Sequence, residues 1–168
     1  GSIGFSHWNA NIDNCWFERD DDSGLVAGFI DWANAGPATA AQAVLGALSG
    51  APATVWREGL GKLLAVYADE LTEMGAPRPD LDQLRRQLLL LHATSGLGFA
   101  MGAPIAIARE IADTDALTGP RDEQFLDHEN ARIQLHMMTN LLVNWEAFRL
   151  GDLVASLLQF VDQTEIRT

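Results

Sequence analysis

Cysteine is the scarcest reactive residue in this chain: Cys15 stands alone. No disulfide can therefore close within it, and no Cys/His cluster has the spacing of a zinc site, a composition that suits a reducing cytoplasm. Basic residues are few as well, 11 Lys plus Arg against 23 Asp plus Glu, for a formal net charge of -12. A surface so negative repels phosphate backbones and anionic lipid, which argues against nucleic acid and membrane as partners. The same field would draw in a cationic small molecule, although the commoner meaning of an acidic surface is solubility. An uninterrupted apolar run is missing too. Residues 88–108 come nearest, but His92, Gly96, Gly98, Gly102 and Pro104 interrupt them, and the expectation is buried core rather than a membrane span. The first residues lack the basic, apolar and small-residue pattern of a signal sequence, so none is expected.

What is present points to a globular protein. Of the 168 residues, 48% are hydrophobic and 20% charged, enough apolar surface for a sizeable core and a single domain over 1–168. Strand character comes first: Cys15-Trp16-Phe17 and residues 25–30 are apolar and partly β-branched, separated by Asp20-Asp21-Asp22-Ser23-Gly24, which predicts a hairpin with a polar turn. From Ala38 the pattern turns helical, and Ser49-Gly50 ends the first helix. A second helix follows Pro52, with Trp56, Leu60, Leu63, Tyr67 and Leu71 as its buried stripe and Gly75 with Pro77 as its stop. Asp80 with Gln83 resembles a capping box ahead of the 84–91 segment, and Pro104 is expected to divide the apolar stretch from a short helix ending near Asp113. The longest helix is predicted over 124–149, with Ile133, Met137, Leu141, Trp145 and Phe148 on one face and Gly151 closing it. Asp152 then caps a last helix over 153–161. The expected fold class is mainly α with a small amino-terminal β hairpin.

The chemistry-bearing spelling lies at the front. His7-Trp8-Asn9-Ala10-Asn11-Ile12-Asp13-Asn14 matches the kinase catalytic-loop pattern H-x-D-x-x-x-x-N at His7 and Asn14, with Asn9 in the aspartate slot. Seventeen positions after Asn14, across the predicted hairpin, an apolar strand ends in Asp31-Trp32. The hairpin would fold Asp31 back toward Asn14. A magnesium ion bridging nucleotide phosphates needs hard oxygen ligands, one of them anionic, on rigid elements close together, and Asn14 and Asp31 could supply two.

With Phe29-Ile30-Asp31-Trp32 in this place, the segment resembles the aminoglycoside and choline phosphotransferase families, whose loop reads H-G-D-x-x-x-x-N and whose metal aspartate sits in an I-D-W or I-D-x motif. The resemblance implies a protein-kinase-like carboxy-terminal lobe. By it, His7 would brace the loop, Asn14 and Asp31 would bind magnesium and thereby the ATP phosphates, and Asn9 would face the hydroxyl of a small-molecule acceptor. It also implies an amino-terminal lobe, with a glycine-rich loop and a strand lysine for ATP, as partner; nothing precedes Gly1, so the chain is expected to be half of an enzyme. Asn9 departs from the family. A neutral amide can hydrogen-bond a hydroxyl but is no general base. A second departure is that residues 37–42 offer no further aspartate at the head of the next helix. Two outcomes stay open: a phosphotransferase, slow at most, or a catalytically impaired, pseudokinase-like binding module.

Other polar residues have blander readings. Asn9, Asn11 and Asp13 mimic the opening of a calcium loop, but Asn14 stands where glycine belongs and Asp20 where glutamate does. The acidic turn at 20–22 reads as solvated, and so does the acidic segment from Glu110 to Glu129, which the resemblance would place beside substrate. His92, His128 and His136 have no metal-spaced partner and are expected to be hydrogen-bonded or at the surface. The tryptophans read as core, except Trp8 and Trp32, which adjoin the loop and could wall a pocket.

Overall fold

The computed structural model describes residues 3–20 and 24–165, with side chains described through residue 160; Asp21, Asp22 and Ser23 of the predicted turn lie outside the described residues. The fold is mainly helical with small antiparallel strand pairs, as the composition and periodicity require. The chain gathers into two compact units.

The first unit comprises the chain through Ala51 together with Glu58–Leu88. Strand β2 (Cys15–Asp20) pairs antiparallel with β3 (Gly24–Phe29), from Cys15 opposite Phe29 to Asp20 opposite Gly24. This is the predicted hairpin. Gly28 lies directly under the Trp16 indole, where a Cβ would overlap the ring. Trp16 is 45% exposed, so it shields a glycine on the ribbon rather than joining the core, against expectation. A second ribbon was not foreseen: β1 (Ile3–Ser6) pairs with β4 (Gly36–Thr39). Pro37 is tolerated there because a two-stranded ribbon has open edges that need no N–H.

Helix α1 (Ala40–Ala47) therefore starts later than predicted, behind a capping box in which Thr39 accepts from the Gln42 N–H and Gln42 accepts from that of Thr39. A π-helical turn (Val55–Gly59) leads into α2 (Leu60–Glu73). The buried stripe of α2 is Leu60, Leu64 and Ala68, while Leu63 is exposed, contrary to prediction. The capping contact ahead of α3 (Leu81–Glu110) is present, with Gln83 N–H donating to Asp80 Oδ1 at 2.9 Å.

The second unit comprises Pro52–Arg57 and the chain from Leu89 onward. Helix α3 runs unbroken through Pro104. The proline removes one hydrogen bond, at about 3 kcal/mol, but Ala103, Ile107 and Ile111 are buried at four-residue spacing on either side of the defect, and that packing outweighs the local cost. The expectation of buried core holds for one face only. By length and composition α3 could cross a membrane, and just 22% of its most apolar window is buried; Phe99, Met101 and Ile105 are exposed.

The helix predicted over 124–149 is two: α4 (Gln124–Asp127) and α5 (Glu129–Ala147), broken at His128. Glu110 causes the restart by taking Asn130 Nδ2 at 2.6 Å and the Ala131 N–H at 3.1 Å. Of the predicted face of this helix, Ile133 is exposed and Leu141 buried. The last helix, α6 (Leu150–Glu165), begins after a left-handed Arg149, ahead of the predicted 153–161, so Gly151 and Asp152 lie inside it rather than closing the previous helix and capping this one. A Cβ on Gly151, inside α6, would meet Trp145 Nε1 at 3.4 Å, an ordinary van der Waals contact. The core of this unit includes Ile107, Ile111, Phe125 and Ala131.

Candidate functional site

The 7–14 loop hangs between the two ribbons of the first unit. Asn11 organises it. Its Oδ1 caps the 3₁₀ turn at Ile12–Asn14 by accepting from the Asp13 N–H at 3.1 Å, and its Nδ2 donates to Asn9 Oδ1 at 3.0 Å and to Ser49 Oγ at 3.2 Å. Asn14 closes the loop from the other end, donating from Nδ2 to the Asn9 carbonyl at 2.8 Å. Short polar side chains bonding back to nearby backbone are what such a loop needs to hold one shape. Cys15 adds a thiol contact to the Asn11 carbonyl at 3.1 Å.

Ile30 joins this loop to the residue beyond the hairpin. Its N–H donates to the Asn14 carbonyl at 2.9 Å, and its own carbonyl accepts from His7 Nε2 at 2.6 Å. A carbonyl partner requires the proton on Nε2; Nδ1 is buried and makes no hydrogen bond among the described residues. The His7 ring is 8% exposed. Trp32 covers it edge-on at 4.7 Å and Phe29 lies at 5.8 Å, so Trp32 roofs the histidine rather than walling an open pocket.

Asp31 follows directly. It has φ 57° and ψ 58°, its carboxylate makes no capping bond, and it is exposed. Trp8, with φ 21°, is the other left-handed residue of this unit that is not glycine, and a hydrogen bond from the Asn9 N–H to the His7 carbonyl closes a tight turn around it. Positive φ at a non-glycine residue is costly and persists where surroundings over-determine it. One strained position lies in this loop and the other directly follows the residue that the loop holds.

Of the residues singled out in the sequence, His7, Asn9 and Asn14 thus share one loop, and Asp31 directly follows Ile30, the residue just past β3 that this loop holds. Among the described residues Asn14 has Nδ2 committed and Oδ1 unengaged, and Asn9 has Oδ1 committed to Asn11, which leaves its NH₂ as a donor. Among the described residues no three His, Cys, Asp or Glu gather to hold a metal ion. An ion at Asn14 and Asp31 would have one amide and one carboxylate oxygen and complete its shell from phosphate and water, which is the habit of Mg²⁺. Sequence reasoning missed Asn11 and Gly46. A Cβ on Gly46, in α1, would overlap the Trp8 carbonyl oxygen, so α1 backs directly onto the loop.

A second polar cluster lies in the other unit. His92 stacks on Trp56 with centroids 4.3 Å apart and accepts at Nε2 from Asn144 Nδ2 at 3.2 Å. Asn144 is fully buried, and its Oδ1 has no partner among the described residues. Burial pushes the His92 imidazole down from 6.5 to about 4. The unfolded chain then takes up this proton first as pH falls, so the group subtracts stability progressively between about pH 6.5 and about pH 4. The loss is at most on the order of 3 kcal/mol. His92→Gln should flatten that part of the stability profile in urea titrations at pH 4 to 7; an identical profile would contradict the assignment.

The acidic segment is mostly structural. Besides Glu110, Asp113 caps the Ala116 N–H at 3.2 Å, and Asp122 is held below the usual carboxylate range by hydrogen bonds from the Thr118 and Gln124 backbone. No protein-family model matches the chain, and neither a curated protein nor a solved structure does.

Proposed function

We propose that this chain is the protein-kinase-like lobe of an ATP-dependent phosphotransferase acting on a hydroxyl group of a small molecule. The observation that carries the reading is the double grip on Ile30: His7 holds its carbonyl and Asn14 its N–H, which ties Asp31, whose carboxylate makes no capping bond among the described residues, to the frame of the loop that bears Asn14 and Asn9. Phosphoryl transfer depends chiefly on positioning and charge neutralisation, so a rigid joint between the two metal-ligand candidates is what the chemistry requires. Bound Mg²⁺ would neutralise phosphate oxygens at Asn14 and Asp31. The acceptor oxygen would attack the γ-phosphorus as the bond to the ADP oxygen breaks. With Asn9 unable to take it, the hydroxyl proton would leave through the transferred phosphoryl group or water. An amino-terminal lobe would supply the remaining phosphate contacts.

The second reading, a pseudokinase-like module that binds without transfer, is favoured by Asn9 itself, whose only free group is an amide NH₂. Two measurements separate the readings. Mn²⁺, as a paramagnetic stand-in for Mg²⁺, should bind the chain and lose at least about tenfold in affinity in Asp31→Asn, a variant that keeps a residue tolerant of left-handed backbone while removing the charge. Equal Mn²⁺ affinity in both proteins would sink the metal assignment. In protein carrying the amino-terminal lobe, Asn9→Asp should raise turnover by about a hundredfold or more if transfer occurs, since that is what a general base contributes. Unchanged, absent turnover beside intact Mg-ATP binding would leave the binding module.

A further inference from the structure

Beyond the loop, the first unit contains a half-open cavity of about 370 Å³ between the β1–β4 ribbon, α2 and the start of α3. Its origin is in the register. Cross-strand partners share a face, and Gly4 stands opposite the buried Ala38, while Ile3 and Phe5, 71% and 77% exposed, border the same cavity. With no side chain on Gly4, and nothing within 4 Å of where its Cβ would stand, the ribbon leaves a hollow against the helices. The size falls within the range of small-molecule pockets.

The chemistry of the hollow is neutral. Of the charged residues on its rim, Arg78 is paired with Asp69, and Asp80 is engaged at the start of α3. The Thr39 hydroxyl is engaged in the capping box of α1, which leaves three uncharged polar groups: the Tyr67 hydroxyl and the Gln83 and Gln87 amides, none of them hydrogen-bonded through the side chain among the described residues. Burial raises the Tyr67 phenol, so it stays a neutral donor. The glutamines are four residues apart and thus share one face of α3. Leu71 and Leu84 supply apolar walls.

We infer that this cavity binds an uncharged, planar heterocycle with a donor–acceptor edge, its ring against Leu71 and Leu84 and its edge toward the two amides and the phenol. A glutamine amide offers a donor beside an acceptor and can meet such an edge with two hydrogen bonds, as it does adenine. The negative field of the protein works against an anionic derivative of the same ring.

Adenine is the probe, observed by saturation-transfer NMR on the full chain, with adenosine monophosphate as its anionic counterpart. Adenine should receive saturation from the protein and bind more tightly than the monophosphate. Gln87→Ala and Tyr67→Phe, neither of which removes a side-chain hydrogen bond among the described residues, should each weaken it about threefold to tenfold, the worth of one hydrogen bond. Gly4→Leu should abolish it by filling the hollow. The inference is overturned by any of three results: no saturation transfer at millimolar adenine, adenine binding unaltered in Gly4→Leu, or adenine binding that Asp31→Asn removes. The last result would assign the ligand to the loop instead. Neither Mn²⁺ affinity nor turnover enters this test, so it stands or falls independently of the phosphotransferase reading.

Discussion

Gly46→Ala is expected to destabilise the protein by about 2 kcal/mol or more, although alanine is the better helix former by about 1 kcal/mol. Gly46 is buried within α1, and a Cβ there would overlap the Trp8 carbonyl oxygen and stand 3.1 Å from the Asn9 nitrogen. The collision is with backbone, which no rotamer change relieves. Nor can the loop simply back away. Trp8 is already held at φ 21°, the His7 ring is tied to Ile30, and Asn11 is tied to Ser49 just beyond the end of α1. Either α1 shifts or the 7–14 loop lets go. Urea denaturation measures the total, and hydrogen exchange at residues 9–14 shows where it falls, with protection lost in the loop before the helices. An alanine variant as stable as the parent would mean that α1 does not seat the loop at all.

Trp56→Ala should cost more, about 3 to 5 kcal/mol, the range for deleting a buried aromatic side chain. Trp56 is 2% exposed and lies face to face with His92 at 4.3 Å, so its removal opens a cavity and unroofs an imidazole. Two observables should move together. Stability falls, and the His92 titration, followed by NMR, climbs from about 4 back toward 6.5 because its desolvation is relieved. Trp56→Phe, which keeps a ring over the imidazole, should lose much less of both. A large loss of stability with an unmoved His92 titration would separate the two residues and refute the stack as the source of the shift.

Local patterns in the sequence are enough to predict the β2–β3 hairpin, where apolar runs flank an acidic turn, and the Asp80 cap of α3. They fail where distant residues decide. Nothing in Pro37-Ala38-Thr39 has strong strand preference; pairing with β1 makes it a strand. On α2, Leu63 and Leu64 lie on adjoining stripes, and only the neighbouring elements choose the second. Pro104 reads as a break until the burial of Ile107 and Ile111 is known, and His128 reads as mid-helix until Glu110 takes the Asn130 and Ala131 groups. The candidate site divides the same way. His7, Asn9, Asn14 and Asp31 are visible as spelling, because chemistry restricts residue type. Asn11 and Gly46 are not, because their roles depend on contacts to Ser49 and Trp8 that cross 38 residues of chain.

Ile30 is the centre of that site, yet its 51% exposed side chain contributes little to it. Both of its peptide groups are occupied, one by an imidazole and one by an asparagine carbonyl. Any amino acid able to extend would serve there except proline, which has no N–H to give. An alanine scan would therefore pass over this position without a signal, and swapping its amide for an ester is the kind of chemistry that would expose the hinge on which the neighbouring carboxylate is hung.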